Sequence, residues 1–351
     1  MAKKTTRSTG EIVAEQEAID ALGDVHKRLA VEWVVSQKQF MKSISDLSYT
    51  KWRKAILKQA KIDLSTVTTK MTNDIIEASY EINKADSIPA KKLTKKKSLS
   101  IAANTKITGN TTKENLNKLA NLAYGTILSQ TTRYAAQGLN NIQITDAIMG
   151  SESQLYKNGD LIRYINGART HSITNTKAGT EANRNERYDD DASVIGYVWD
   201  SILDGHTSTT CLGLNGKTFY YTRNGVTLSG YKPLPPIHPN CRSSTQPIYD
   251  RKNVPKVQPF KEWADQWIKE GVPDEGNELL EALGRTRFDL FKRGELSIQR
   301  FTDARFKPLN IPQLARQLTD KGEISTVNGT ATLLVNGKPV TLDEFLRNYS
   351  K

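Results

Sequence analysis

The sequence has little that would tie it to a membrane or to an oxidising compartment. Its 351 residues include only 2 cysteines, and its mean hydropathy is -0.55. No apolar run approaches the roughly 18 residues that a membrane helix needs. The N-terminal stretch MAKKTTRSTG has no apolar segment behind its charges, so it does not resemble a signal peptide. We therefore expect a protein made and used in the cytoplasm or in a particle assembled there.

Motifs of the common enzyme classes are also missing. The sequence contains no H-E-x-x-H, no G-x-S-x-G and no Walker A motif. The zinc deaminase pattern, which combines H-x-E with P-C-x-x-C, is absent as well. We predict that the chain is not an enzyme.

Positive charge is in excess. The net charge is +12 and the isoelectric point is about 9.4, and most of the excess lies before residue 110. Such a balance indicates an acidic partner, either nucleic acid or an acidic protein surface. Solubility alone is the alternative explanation.

Residues 11–82 have the periodicity of amphipathic helices. From Glu11 onward, apolar residues recur at spacings of three, four and seven. A break at residues 48–50 predicts a second helix, and a third is predicted from about Leu64 to Ile82. The second helix carries five cations: Lys51, Arg53, Lys54, Lys58 and Lys61.

Residues 87–110 have the composition of a linker or an exposed arm. The segment contains Pro89 and the run KKLTKKK, followed by Ser, Asn, Thr and Gly. Its functional interpretation is contact with phosphates or with an acidic partner, and its simpler interpretation is a solvated stretch. The residues concerned are Lys91, Lys92, Lys95, Lys96 and Lys97.

Most of the unusual residue types lie between residues 199 and 247. A short β-branched and aromatic run, residues 194–199, predicts a buried strand that leads into this stretch. Residues 214–226 are predicted to form a hairpin, with Asn215-Gly216 as a type I′ turn signal and a strand-like run from Thr218 to Thr222. Several prolines then exclude helix and hold His238 and Cys241 in a fixed relation.

Three interpretations of the cysteines stay open. Zinc could be bound by Cys211, His238 and Cys241, with His206, Asp204 or His171 as a fourth ligand. A disulfide is less expected in a reducing cytoplasm, and two buried, unreactive thiols form the third alternative. If a metal is bound, we expect a structural role, because a small loop-rich module has little core of its own.

The same stretch resembles the phage Mu protein F-like minor head proteins, also called phage head morphogenesis proteins. The resemblance covers roughly residues 115–312, and its most specific part is the block His238-Pro239-Asn240-Cys241-Arg242 with the upstream Cys211. It also rests on Asp204, Thr207, Ser208, Asn215-Gly216, Pro236, Arg169-Thr170, Leu283-Gly284, Arg287, Leu290-Phe291, Gly294, Leu296 and Leu309. The family pattern usually has another residue at His206.

The resemblance implies a minor capsid protein of a tailed bacteriophage. Such a protein is a virion component, assembled in the host cytoplasm, that associates in several copies with the portal ring and the capsid interior. It could also contact the major capsid protein or the packaged and ejected DNA. Asp204, Thr207, Arg169 and Arg242 would be structural residues, with Arg242 paired to Asp204 or another buried carboxylate. A non-specific nucleic-acid-binding protein, or a Mu F-linked enzyme or toxin effector, is the alternative.

We predict an α+β fold with three regions. A basic helical region with its arm covers residues 1–110, and a Mu F-like domain with an irregular, β-containing Cys/His module covers 111–255. Short helices and a C-terminal β-hairpin cover 256–351. No membrane contact and no cofactor besides one structural zinc ion are expected.

Overall fold

A computed structural model describes residues 7–88, 91–221, 233–294, 296–318, 323–327, 330–335, 338–341 and 344. They divide into two compact units, one with residues 7–195 and 233–242 and one with residues 196–221 and the described part of 243–344. The fold is α+β, as predicted: helices dominate the first unit, and small sheets occur in both. The three-region division at residues 110 and 255 stays a prediction.

The first unit is built mainly from helices. Capping boxes begin several of them, and in α1 the Ser8 side chain accepts from the backbone N–H of Glu11 while Glu11 reaches back. The elements are α1 (Thr9–Ser43), α2 (Tyr49–Ala85), α3 (Lys95–Asn104), β1 (Lys106–Ile107), β2 (Asn110–Thr111), α4 (Thr112–Ala136), α5 (Asn141–Met149) and α6 (Ile162–Asp189).

Two predictions for the N-terminal region are corrected. The second and third predicted helices are one helix, α2, because no Gly or Pro interrupts the chain and the apolar stripe continues through Leu64 and Met71. The predicted arm contains helix α3, which begins where Thr94 Oγ1 accepts from the backbone N–H of Lys97. Pro89 lies outside the described residues.

Helix α6 is the common partner of the first unit, since α1, α2, α3 and α4 all pack against it. Two glycines allow close approach. A Cβ at Gly23 of α1 would lie 2.7 Å from Cγ1 of Ile173, and one at Gly179 would lie 2.5 Å from Oγ of Ser79. The apolar core includes Ala30, Trp33, Val34, Trp52, Ile56, Leu116, Leu119, Ile127, Ile148, Tyr164, Ile165 and Ala168.

One face of α6 carries buried charged side chains, which form ion pairs with one another and with charged side chains from other elements. Seven charged side chains there are at most 7% exposed: Arg7, Glu15, Asp86, Lys177, Glu181, Arg184 and Arg187. Oxygens of Glu15 lie 2.6 Å from Lys177 Nζ and 2.6 Å from Arg184 Nη2. Arg184 Nε donates to Asp86 over 2.9 Å, and its Nη1 pairs with Glu181. We call these seven residues the buried ion network.

Two carboxylates of the network, Glu15 and Asp86, stay ionised at neutral pH. Burial disfavours the charged form of Glu15, but the cations of Arg184, Lys177 and Arg7 outweigh it and hold the pKa of Glu15 well below its ordinary value. The pKa of Asp86 is lowered in the same way, with Arg184 and Arg7 outweighing burial. Opposite charges that satisfy one another therefore hold the N-terminal part of α1 to α6.

The second unit is smaller and more irregular. Its elements are β3 (Gly196–Asp200), α7 (Thr209–Leu214), β4 (Thr218–Tyr220), β5 (Ser244–Ile248), α8 (Phe260–Ile268), α9 (Glu278–Leu283), α10 (Arg285–Lys292), α11 (Ile311–Leu318), β6 (Glu323–Val327), β7 (Thr330–Val335) and β8 (Lys338–Pro339). Strand β3 lies between β4 and β5 and pairs antiparallel with both, and β7 lies between β6 and β8.

The C-terminal β-hairpin is confirmed, because β6 and β7 pair antiparallel with Val327 opposite Thr330. The short helices bury a separate apolar core that includes Leu212, Trp263, Leu279, Phe288, Leu290, Ile298, Phe301 and Leu314. None of the described helices combines the length and apolar composition needed to cross a bilayer.

Candidate metal centre

Strand β3 leads into the part of the family-like motif that lies in the second unit, from Asp204 to Cys211. All five of its residues are buried, and Tyr197 stacks on Phe219 of β4 with ring centroids 5.1 Å apart. Trp199 Nε1 donates to Ser201 Oγ over 3.0 Å. The strand predicted at residues 194–199 is confirmed, with its described bounds at Gly196–Asp200. The chain therefore leaves the sheet from a rigid position just before Asp204.

Asp204, Thr207 and Ser208 close a loop and start a helix. Oδ1 of Asp204 accepts from the backbone N–H of His206 over 2.9 Å and lies 3.1 Å from Thr207 Oγ1. The Thr207 hydroxyl also contacts the carbonyl of Ile202. Oγ of Ser208 then caps α7 by accepting from the backbone N–H of Cys211 over 3.3 Å. These polar groups fix the position of Cys211 in the first turns of α7.

Asn215 and Gly216 form a different turn from the one predicted. Asn215 has φ -54° and ψ 126°, Gly216 has φ +76°, and the Lys217 N–H donates to the Leu214 carbonyl over 2.9 Å. These values define a type II turn, so the type I′ prediction was wrong. The Asn215 side chain accepts from Ser201 N–H over 3.0 Å and donates to the Gln258 carbonyl over 2.8 Å, which favours this geometry. Residues 222–226 of the predicted hairpin lie outside the described residues.

The segment 233–242 presents His238 and Cys241 from non-helical backbone. Nδ1 of His238 lies 2.8 Å from the Pro239 carbonyl oxygen, so Nδ1 carries the proton and donates there. Asn240 has φ +56°, and its N–H donates to Oγ1 of Thr174 on α6 over 3.0 Å. Burial disfavours protonation of His238, but its contacts with Cys241 and with the Pro239 carbonyl outweigh burial and raise its pKa.

Cys211, His238 and Cys241 form the candidate metal centre. Each offers one ligand atom, and these atoms all lie within 4.8 Å of one another. Both cysteines are buried and the histidine is half-buried. No disulfide joins Cys211 and Cys241.

The three residues fit a zinc ion. Two thiolates and one imidazole are donors that zinc prefers, and a tetrahedral ion separates such ligands by roughly 3.3–3.8 Å, within the spread observed. Since Nδ1 of His238 donates to a backbone carbonyl, Nε2 is left with the lone pair that a metal binds. The backbone contact therefore selects the tautomer that a zinc site requires.

The fourth-ligand candidates are not members of this group. The cluster does not include His206, Asp204 or His171. His206 is exposed, and Asp204 is engaged by the loop that it closes. The pKa of His171 is lowered by burial, so its imidazole is neutral at pH 7. His206 as a zinc ligand stays a prediction.

The structure gives an ion-pair partner for one of the two motif arginines, and the predicted pairing of the other stays a prediction. Arg169 lies in α6 and pairs with carboxylates of α1: its Nε is 2.7 Å from Asp24 Oδ1 and its Nη2 is 3.6 Å from Asp20 Oδ1. Its role is thus to hold α1 to α6. Arg242 is half-buried directly after Cys241, and its pairing with Asp204 stays a prediction.

The predicted basic arm has much of its charge engaged within the protein. Lys95 pairs with Glu77, and Lys97 Nζ lies 2.8 Å from Glu186 and 2.9 Å from Asp190. Lys92 donates to the carbonyl of Lys84 over 2.6 Å. Lys91 and Lys96 are exposed. A role of this run in binding nucleic acid or an acidic partner stays a prediction.

Sequence reasoning did not find two residues that support the centre. Oγ of Ser201 contacts Ser243 Oγ at 3.0 Å and donates to the Cys211 carbonyl over 3.0 Å, and Thr174 accepts from Asn240. No local pattern marks them, because partners such as Ser243 and Asn240 lie 42 and 66 residues away. Only the position of Ser201 directly after a buried strand was a usable signal.

Comparisons with protein-family models, with curated proteins and with solved structures find no match to this chain. Its function is therefore inferred from its own residues and their geometry.

Proposed function

We propose that the chain is a minor head protein of a tailed bacteriophage, a structural component that associates with the portal and the capsid interior during head assembly. The main observation in support of this proposal is that side chains of the motif form hydrogen bonds with nearby backbone. Asp204, Thr207, Ser208 and Asn215 direct their polar groups to nearby backbone, where they close a loop, cap α7 and fix a turn. Side chains used in this way serve architecture, which favours a structural protein over an enzyme.

The candidate metal centre extends the same role. Cys211, His238 and Cys241 would hold one structural zinc ion, whose binding free energy would add to that of folding. Water or a nearby side chain would complete the coordination. Because the surrounding segments consist of loops and short helices, a metal cross-link is the kind of stabilisation that such a module gains most from.

The first unit would supply the docking surface for neighbouring virion proteins. Helices α1 and α2 have 35 and 37 residues, and long helices with extensive outer faces suit assembly in several copies around a portal ring. The major capsid protein and packaged DNA are further partners under this proposal.

The portal assignment is tested by co-expressing the full chain with the portal protein encoded by the same phage and measuring the mass of the purified complex. A ring-bound complex of defined stoichiometry is expected, and it should survive high salt if apolar contacts dominate. An unrelated ring-forming protein serves as the control partner. Failure to bind the portal, or equal binding to the control ring, would reject the assignment.

Zinc is tested separately by elemental analysis of the full chain. We expect one zinc ion per chain, lost in Cys211→Ser, Cys241→Ser and His238→Ala. Ser129→Ala, which makes a change of the same size at an exposed serine of α4, is the control and should keep the metal. His206→Ala decides the fourth ligand. A metal-free protein purified without chelator would remove zinc from the proposal while leaving portal binding untouched.

Two other functions are the alternatives to this proposal. A non-specific nucleic-acid-binding protein is favoured by the net charge of +12. An enzyme or toxin effector linked to a Mu F-like domain is favoured by no observation on the described residues. Portal binding separates the head protein from both.

A further inference from the structure

A groove between α2 and α4 is lined with cations. It consists of two cavities, with volumes of about 480 and 450 Å³, that share Lys61 and Tyr124 and therefore adjoin one another. Arg53, Lys54, Lys58 and Lys61 line it from α2. The α4 side contributes Tyr124 and two amides, Asn117 and Asn121. We call this surface the α2–α4 groove.

The three lysines form a row along one face of α2. Lys54, Lys58 and Lys61 are spaced by four and three residues, which places them one above another on a helix. The row is about 10 Å long at 1.5 Å per residue. All three side chains are exposed, and none has an ion-pair partner among the described residues. Like charges so arranged repel each other, so the row costs the fold free energy.

No carboxylate compensates this charge within the groove. Neither cavity is lined by an Asp or Glu among the described residues. The acidic residue nearest in sequence on α2 is Asp63, which turns to α1 and accepts from Gln37 Nε2 over 2.5 Å and from Gln59 over 2.8 Å. Arg53 is held by neutral acceptors of α4, the Leu128 carbonyl and the Thr131 and Thr132 hydroxyls, so its positive charge is also uncompensated.

The arrangement fits a phosphodiester backbone better than an acidic protein. Lysine is depleted from protein–protein interfaces, whereas lysine and arginine supply most phosphate contacts, helped by tyrosine and amide side chains. A row of about 10 Å matches roughly three phosphates along one strand of B-form DNA. The groove offers cations, tyrosines and amides together, which is the combination that such a backbone recruits.

We infer that the α2–α4 groove is a nucleic-acid-binding surface that contacts the phosphate backbone through Lys54, Lys58 and Lys61, without sequence preference. This surface lies outside the run of residues 91–97 that sequence alone indicates, and it does not depend on the virion assignment or on zinc. If the groove bound no nucleic acid, portal association and metal content would be unaffected.

The test measures binding of the full chain to a labelled 20-base-pair duplex, and to a single strand of equal length, by fluorescence anisotropy at several NaCl concentrations. The variant is Lys54→Gln/Lys58→Gln/Lys61→Gln, which removes three charges and keeps good helix formers. The matched control is Lys252→Gln/Lys256→Gln/Lys269→Gln, three exposed lysines of the second unit. Circular dichroism and thermal midpoints check that both variants fold.

We expect the groove variant to lose affinity by roughly 10- to 100-fold near 0.1 M salt, and its plot of log affinity against log salt to become shallower by about 2–3. The control should stay within about 3-fold of the unmodified chain. Tighter binding of the duplex or of the single strand identifies which form the groove takes, and either supports the inference. Equal losses in both variants, no binding by the unmodified chain, or binding to an acidic protein that nucleic acid does not compete with would overturn it.

Discussion

The buried ion network and the α2–α4 groove use charge in opposite ways within the same unit. In the network, three carboxylates and four cations are enclosed and satisfy one another. In the groove, cations face solvent with no carboxylate among the groove's lining residues. Charges that the protein neutralises itself serve its fold, and charges left uncompensated are available to a partner. Neither category can be told from the density of charged residues in the sequence.

The run at residues 91–97 shows why this distinction matters. It is the densest basic segment of the chain, yet Lys95 and Lys97 pair with carboxylates of α2 and α6 or the residue after α6. The groove lysines are spread over two helical turns, and the sequence shows them only as three of the five cations on the second predicted helix. Under the inference drawn for the groove, the dispersed row is the expected nucleic-acid-binding surface, and a binding role of residues 91–97 stays a prediction.

Removing a member of the network should have the largest effect on stability. Arg184→Gln would remove the guanidinium that pairs with Glu15, Asp86 and Glu181, and these buried carboxylates would lose that partner. We therefore expect a loss of about 3–5 kcal/mol in the free energy of unfolding. Arg163→Gln, an exposed arginine on the same helix, is the control and should change it by less than about 0.5 kcal/mol. Urea unfolding measures both. Similar, small losses in the two variants would mean that the network does not hold α1 to α6.

The second-largest effect should come from low pH, which should reduce the stability that the buried ion network contributes. The pKa values of Glu15 and Asp86 are lower in the folded chain than in the unfolded chain, so their contribution is complete above the ordinary values. It is lost as pH falls below about 4.5 and approaches the folded pKa values. Thermal unfolding between pH 7 and pH 3 measures this loss, which Glu15→Gln should reduce. A stability profile that stays flat from pH 5 to pH 3 would contradict the assignment.

Surface pairs should matter least. Lys97 is exposed, and although Glu186 and Asp190 raise its pKa, solvent screens the interaction. Lys97→Gln should leave the thermal midpoint unchanged within error, and so should Lys96→Gln, which removes the same charge one residue away. A clear loss in Lys97→Gln alone would show that the pairing fixes α3.

The sequence predicts the fold class well because local periodicity determines it. The amphipathic helices, the strand before Asp204 and the C-terminal β-hairpin each follow from spacings within a few residues. The turn at Asn215-Gly216 was mispredicted because its type depends on Ser201 and Gln258, which bind the Asn215 side chain.

The buried ion network was beyond sequence reasoning for the same physical reason. Arg184 meets Asp86 and Glu15 across 98 and 169 residues, so no local window contains the pair. One signal was present: α6 is a 28-residue helix with little apolar character, and such a helix needs polar partners if it is buried. The sequence did predict the grouping of Cys211 with His238 and Cys241. Cysteine and histidine are rare in this chain, so the residue types alone identified the candidate ligands, without knowledge of the distances between them.

The late position of α6 in the chain has a consequence for synthesis on the ribosome. Helices α1 to α4 leave the exit tunnel before α6 does. The carboxylates Glu15 and Asp86 therefore stay hydrated, without their cationic partners on α6, until residues 177–187 emerge. The first unit cannot close over its apolar core during that interval, although each long helix can form locally as it appears. Until α6 has emerged, the nascent chain therefore exposes the helix faces that α6 covers in the folded unit.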